Sequence, residues 1–169
     1  MSTTMQSVTT TGRLLGARQL ATIVQRVADS QIEWLSRVRL NPAGRWYEQI
    51  HLDDSHEVWL ISWLPGQETG FHNHGGASGA FTVALGTLLE SRPTSVTGPT
   101  EVVSKPVGAG GVRSFGPRYI HNVRNASAAS VAVSVHAYSP PLSAMTRYEL
   151  TQSGLVTLGT EAATAWSAA

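Results

Sequence analysis

The 169-residue chain reads as mainly β: a double-sheet, jelly-roll-like barrel with short helices packed outside it. Three observations predict this. From Trp46 onward the apolar runs are short and rich in Val, Leu, Phe and Trp. Glycine- and proline-bearing turn signals separate those runs, and helical spacing is confined to the stretch before Asn41.

Leu20, Ile23, Val24 and Val27 recur at helical intervals and predict a first helix. Ser30-Gln31-Ile32-Glu33 reads as a capping start for a second helix carrying Trp34, Leu35 and Val38. Asn41-Pro42-Ala43-Gly44 breaks the helical pattern. Strands are then expected at 58–64, 71–74, 80–85, 87–91, 101–104, 113–115, 120–124, 131–138 and 147–150. Pro65-Gly66, Gly75-Gly76, Gly98-Pro99, the glycine-rich segment 108–111 and Gly116-Pro117 fall between them. The expected organisation is a flexible tail over 1–12, one domain over 13–159 with helices at about 17–40 and a barrel at about 45–158, and a tail over 160–169. No internal repeat is visible.

Composition narrows the function classes. A hydrophobic share of 41% is enough to fill one core, and a formal net charge of +1 with 14% charged residues offers no basic stripe for nucleic acid or anionic membrane. The chain has no cysteine, which removes disulfides and thiolate ligands and leaves histidine as the strong nitrogen ligand. Segment 1–12 has neither a charged start nor an apolar run, and no stretch approaches the ~20 apolar residues of a membrane span. A cytoplasmic protein is expected, as a monomer or small homo-oligomer.

Histidine spacing carries the chemistry. A strand period of two sends His72 and His74 to the same face, where two imidazoles side by side can hold a metal. A third imidazole, His121, from a facing strand would complete a three-histidine set with positions left open for water, substrate or dioxygen. Ser134, His136 and Tyr138 alternate within a strand otherwise made of valine and alanine, so they too share one face and can form a hydrogen-bonded row. His51 and His56 flank Asp53 and Asp54 in a turn-like segment and are expected to face water. Trp59 and Trp63, on one side of a strand with Ile61, are expected in the core.

The stretch from Pro65 through His72-Asn73-His74 to Gly79 and Gly86 resembles the first cupin motif. It departs where many cupins carry a metal-binding glutamate, a position held here by Gly79. Around Phe115–Asn125 the second motif is present in looser form, with His121 followed four positions later by asparagine. Glycine in place of glutamate, three histidines, and Ser134-Val135-His136-Ala137-Tyr138-Ser139-Pro140-Pro141 together resemble the thiol dioxygenases, typified by cysteine dioxygenase. Animal members link a cysteine to the active-site tyrosine. Gly79 stands at that position, so the chain looks like the bacterial branch, with Tyr138 unmodified.

The resemblance implies that His72, His74 and His121 hold Fe(II), and that Ser134 and His136 orient the Tyr138 hydroxyl toward a metal-bound substrate. The implied reaction adds both atoms of O2 to the sulfur of a small thiol, L-cysteine ahead of 3-mercaptopropionate. An arginine early in the barrel holds the substrate carboxylate in that family. This chain offers Arg45, Trp46, Tyr47 and Gln49 there, with Arg45 preferred and Tyr47 beside it, because a guanidinium makes two parallel charge-assisted hydrogen bonds. Two other readings remain: a cupin enzyme using zinc, nickel, copper or manganese, and a metal-free cupin that binds a small ligand.

Overall fold

The computed structural model describes residues 13–163. Helix α1, Ala17–Asp29, opens with the Gln19 side chain accepting the Gly16 backbone N–H at 3.0 Å. Helix α2 is a single turn, Gln31–Trp34, and the Ser30 side chain makes no capping hydrogen bond. The expected capping box therefore does not form. Trp34 is buried, its Nε1–H bonded to the Ala28 carbonyl at 3.1 Å, whereas Leu35 is 60% exposed.

Eleven strands follow: β1 Trp46–Leu52, β2 Glu57–Trp63, β3 Phe71–His72, β4 Ser78–Leu85, β5 Thr87–Pro93, β6 Val102–Gly108, β7 Val112–Phe115, β8 Asn122–Arg124, β9 Ala132–Ser139, β10 Ala144–Thr151 and β11 Gly154–Ala162. The run 71–74 is strand only at Phe71 and His72. Strands β1 and β11 are not marked by periodicity, and β11 carries the barrel on to Ala162. No helix among the described residues is long and apolar enough to cross a membrane.

One wall of the barrel is a five-stranded sheet in the order β1-β2-β9-β4-β7. The other is two three-stranded sheets, β11-β10-β3 and β6-β5-β8. They meet at an antiparallel bridge between His72 and His121, whose backbones exchange N–H···O bonds at 3.0 and 3.2 Å. Two of the three candidate ligands are thus direct cross-strand partners across the seam.

Helix α1 explains an unusual burial pattern. Its Leu20, Val24 and Val27 pack on Val58, Leu60, Ala80, Val133, Val135 and Ala137, which cover the outer face of the five-stranded sheet. Trp63, Phe81, Val83 and Tyr138 of its inner face pack with Leu88 and Val123 of the opposite wall. Every residue of β9 is therefore buried. At the β4–β5 corner Gly86 has φ +77°, and a Cβ there would sit 2.6 Å from the Val131 carbonyl oxygen, so only glycine makes this bend.

Candidate metal centre and thiol pocket

His72, His74 and His121 are 3%, 1% and 1% exposed, and their nearest ligand atoms all lie within 4.8 Å of one another. Each arrives differently. His72 ends β3, and its Nδ1 lies 3.0 Å from the Gly70 carbonyl, a partner that can only accept; the proton is on Nδ1 and Nε2 is free. His74 lies beyond the strand, yet faces the same way because Asn73 is tied outward to β10. Asn73 bonds its backbone N–H to Thr146 O at 3.0 Å, and its side chain to Thr146 N at 3.0 Å and the Tyr148 hydroxyl at 2.9 Å. His121 places Nδ1 2.9 Å from a carboxylate oxygen of Glu90.

Burial and the other imidazoles of the cluster hold His72 and His74 well below the usual imidazole pKa, so both are neutral ligands at pH 7. Neither ring nitrogen of His74 makes a well-formed hydrogen bond, although the Tyr119 backbone acts on the ring. A fully buried imidazole without a well-formed hydrogen bond, set between two others, is what a metal ion resolves: three imidazoles converge with no fourth protein ligand among the described residues. Gly79 shows why no fourth exists. It sits between Tyr138 and Phe115 in the sheet, and a Cβ there would run into the Phe115 ring and lie 3.0 Å from the Tyr138 ring. The Phe115 ring, 4.7 Å from His74 centroid to centroid, fills the space beside the cluster instead.

The alternation on β9 points Ser134, His136 and Tyr138 inward, and Trp63 of β2 extends their row. Trp63 Nε1–H donates to Ser134 Oγ at 2.8 Å, Ser134 Oγ lies 2.8 Å from His136 Nε2, and His136 Nδ1 lies 3.3 Å from the Tyr138 hydroxyl. Burial, followed by His121 and Arg45, lowers the His136 pKa to about 3, so the ring carries one proton. If Ser134 donates to Nε2, His136 donates from Nδ1 to the Tyr138 oxygen, and the Tyr138 proton is left for the cavity. The reverse order strands the Ser134 proton without an acceptor in the row. Burial, with the Glu57 carboxylate, raises the Tyr138 pKa, so the phenol keeps its proton. Its ring stacks on His74 at 5.2 Å.

These groups surround a cavity of about 110 Å³ lined by His72, His121, His136 and Tyr138 together with Arg45, Tyr47, Trp59, Ile61 and Arg147. Arg45 lies just before β1 with its guanidinium 5.3 Å from the Trp63 ring centroid. Burial, then the nearby Arg147, lowers its pKa. Of the other residues offered for this role, Gln49 is bonded to Glu57 at 2.8 Å and Trp46 packs with the outer cluster. Trp59, expected in the core, lines the cavity. Arg147, which no sequence motif marks, also lines it, held by Thr69 O at 2.8 Å and by Glu161 at 3.2 Å.

His51 is exposed on β1 and His56 has a side chain 14% exposed in the following turn. Both are engaged with Asp53 and stand apart from the cavity.

A double-sheet barrel with three inward histidines at one end is a metal-binding cupin. Solved structures share this fold: a protein from Thermus thermophilus at 21% identity, covering 63% of this chain and 94% of its own, TM-score 0.54; an uncharacterized conserved protein with a double-stranded β-helix domain from Klebsiella pneumoniae at 16% identity, covering 72% and 90%, TM-score 0.53; and a cupin superfamily protein from Desulfitobacterium hafniense at 9% identity, covering 63% and 86%, TM-score 0.51. Within the cupins the chain belongs to the family of cysteine dioxygenase type I, whose model matches residues 9–151. No curated protein matches the chain.

Proposed function

We propose that the protein is a ferrous thiol dioxygenase that converts a small carboxylate-bearing thiol to its sulfinic acid, L-cysteine being the first candidate. The overall change is R–SH + O2 → R–SO2H, with both oxygen atoms ending on sulfur. The carrying observation is the buried, converging set His72, His74 and His121, of which His72 and His121 line the same cavity as Tyr138 and Arg45. Iron held by the three imidazoles supplies the activation of thiolate and dioxygen. A reducing cytoplasm suits such a ferrous site.

The protein's part is recognition, orientation and exclusion of water. Arg45 has no hydrogen-bonded or ion-paired partner among the described residues, and it presents a desolvated guanidinium to the cavity, which favours a carboxylate. The Trp63–Ser134–His136 row leaves the Tyr138 O–H as a fixed donor toward the reacting sulfur and oxygen atoms. Trp59, Ile61, Leu142 and Met145 supply apolar wall. No acidic side chain is among the residues lining the cavity, so an ammonium group finds no counter-charge from the protein. That observation supports a second reading, in which the amine-free 3-mercaptopropionate is the better substrate.

The test is oxygen uptake and mass spectrometry on iron-loaded protein with a panel of small thiols. Thiol-dependent uptake with a gain of two oxygen atoms on one thiol is expected, and no uptake across the panel overturns the reading. In the same assay Tyr138→Phe keeps its iron but turns over roughly 10- to 1,000-fold more slowly, the loss for one positioned donor.

A further inference from the structure

We propose that Glu90 is a positioning residue for the metal centre: it fixes His121 with the Nδ1 proton turned outward and the Nε2 lone pair turned toward His72 and His74. This rests on the three-histidine metal reading above, and it adds a residue that the sequence pattern did not single out.

Glu90 is 3% exposed, in the middle of β5, where it pairs across the sheet with Val123, two residues along from His121. A buried carboxylate needs donors, and three surround it: His121 Nδ1 at 2.9 Å, the Tyr119 hydroxyl at 2.8 Å and Arg113 Nε at 3.2 Å. An ionised carboxylate only accepts, so the shared proton with His121 belongs to Nδ1 and one tautomer is selected. A hydroxyl, an imidazole nitrogen and a guanidinium all face the carboxylate, which therefore acts as an acceptor toward every partner, as its charged form does.

The three ligands are thus anchored unequally. His72 rests on a backbone carbonyl, and His74 on ring packing with only the Tyr119 backbone acting on it; His121 is backed by a carboxylate. Tyr119 extends the same support, stacking on Phe115 at 4.5 Å, and Phe115 packs on His74. A charged partner raises the basicity of the imidazole behind it and offsets part of the cation's charge. Removing that charge weakens iron binding and favours the ferrous over the ferric state.

The experiment compares wild type, Glu90→Gln and Arg113→Ala. Ring-nitrogen NMR of the metal-free wild type reads the His121 tautomer. Chelator competition reads the iron dissociation constant, and redox titration reads the Fe(III)/Fe(II) midpoint. Wild type should show the Nδ1–H tautomer. Glu90→Gln should weaken iron binding by roughly 10- to 100-fold and move the midpoint positive. Arg113→Ala, which keeps the carboxylate, should change affinity by at most a few-fold and move the midpoint negative. An Nε2–H tautomer in wild type overturns the proposal even if Glu90→Gln does not fold. So does a folded Glu90→Gln protein with wild-type affinity and midpoint. Failure of wild type to retain iron overturns the metal-site reading instead.

Discussion

Two clusters among the described residues each bring three ligand-type side chains within 4.8 Å: His72, His74 and His121 inside the barrel, and His51, Asp53 and His56 on the β1–β2 hairpin. The hairpin set is already satisfied. One Asp53 oxygen accepts from Ser55 N at 2.7 Å, Ser55 Oγ at 2.7 Å and His56 N at 2.9 Å, and the other lies 3.1 Å from His51 Nε2. Those bonds, the Ser55 side chain foremost, hold Asp53 below the ordinary carboxylate pKa, as expected of a turn built around its own carboxylate. The barrel set has the opposite character. Its rings are buried, His72 and His74 are held neutral, and neither nitrogen of His74 makes a well-formed hydrogen bond. Proximity of ligands does not make a site; coordination capacity left unused where water cannot satisfy it does.

The largest effect expected from this contrast is on metal. His74→Ala should leave the fold intact, because His74 makes no hydrogen bond that supports a strand, while iron retained after desalting drops by at least about tenfold, more than is typical for a lost supporting residue. Normal iron content in that variant would remove His74 from the ligand set.

A second, intermediate effect concerns pH. His72, His74 and His136 stay neutral in the fold because burial holds their pKa values below the ordinary 6.5. Unfolding lets each take up a proton below that pH, so the unfolded state binds more protons and stability falls as pH drops. The metal-free protein should show a urea midpoint that is flat above pH 7. Below 6.5 stability should decline by about 1.4 kcal/mol per pH unit for each such imidazole, for His136 down toward pH 3. An unchanged midpoint between pH 7 and pH 5 would mean that these rings are not withheld from protons.

The smallest effect falls on the hairpin. His51→Ala should leave iron content unchanged and shift stability by no more than about 0.5 kcal/mol, as for an exposed residue away from any buried network. Iron loss there would erase the distinction between the two clusters.

The barrel was legible because its signals are local. Short β-rich runs between glycine and proline turns mark strands whatever they pack against, and the α1 periodicity of Leu20, Val24 and Val27 marks a buried helix face. The capping box at Ser30 failed because Trp34 folds back onto α1 after one turn, leaving too little helix to cap. Strand β11 escaped notice because most of its residues are exposed and its alternation is weak. The glutamate motif position was readable as absent, but not its replacement: Phe115 reaches Gly79 from β7, far away in sequence.

Alternation along a strand follows from backbone geometry, so the sequence alone determined that Ser134, His136 and Tyr138 share a face and that the chain is a mainly β protein with helices first. Which face that is depended on α1 covering the other one. Only long-range packing set the His72–His121 pairing across the seam, the buried carboxylate behind His121, the Trp63 bond to Ser134, and the entry of Arg45 and Arg147 into one cavity. The physical reason is range: dihedral preferences act between neighbours, whereas burial and hydrogen-bond satisfaction are settled among residues tens of positions apart.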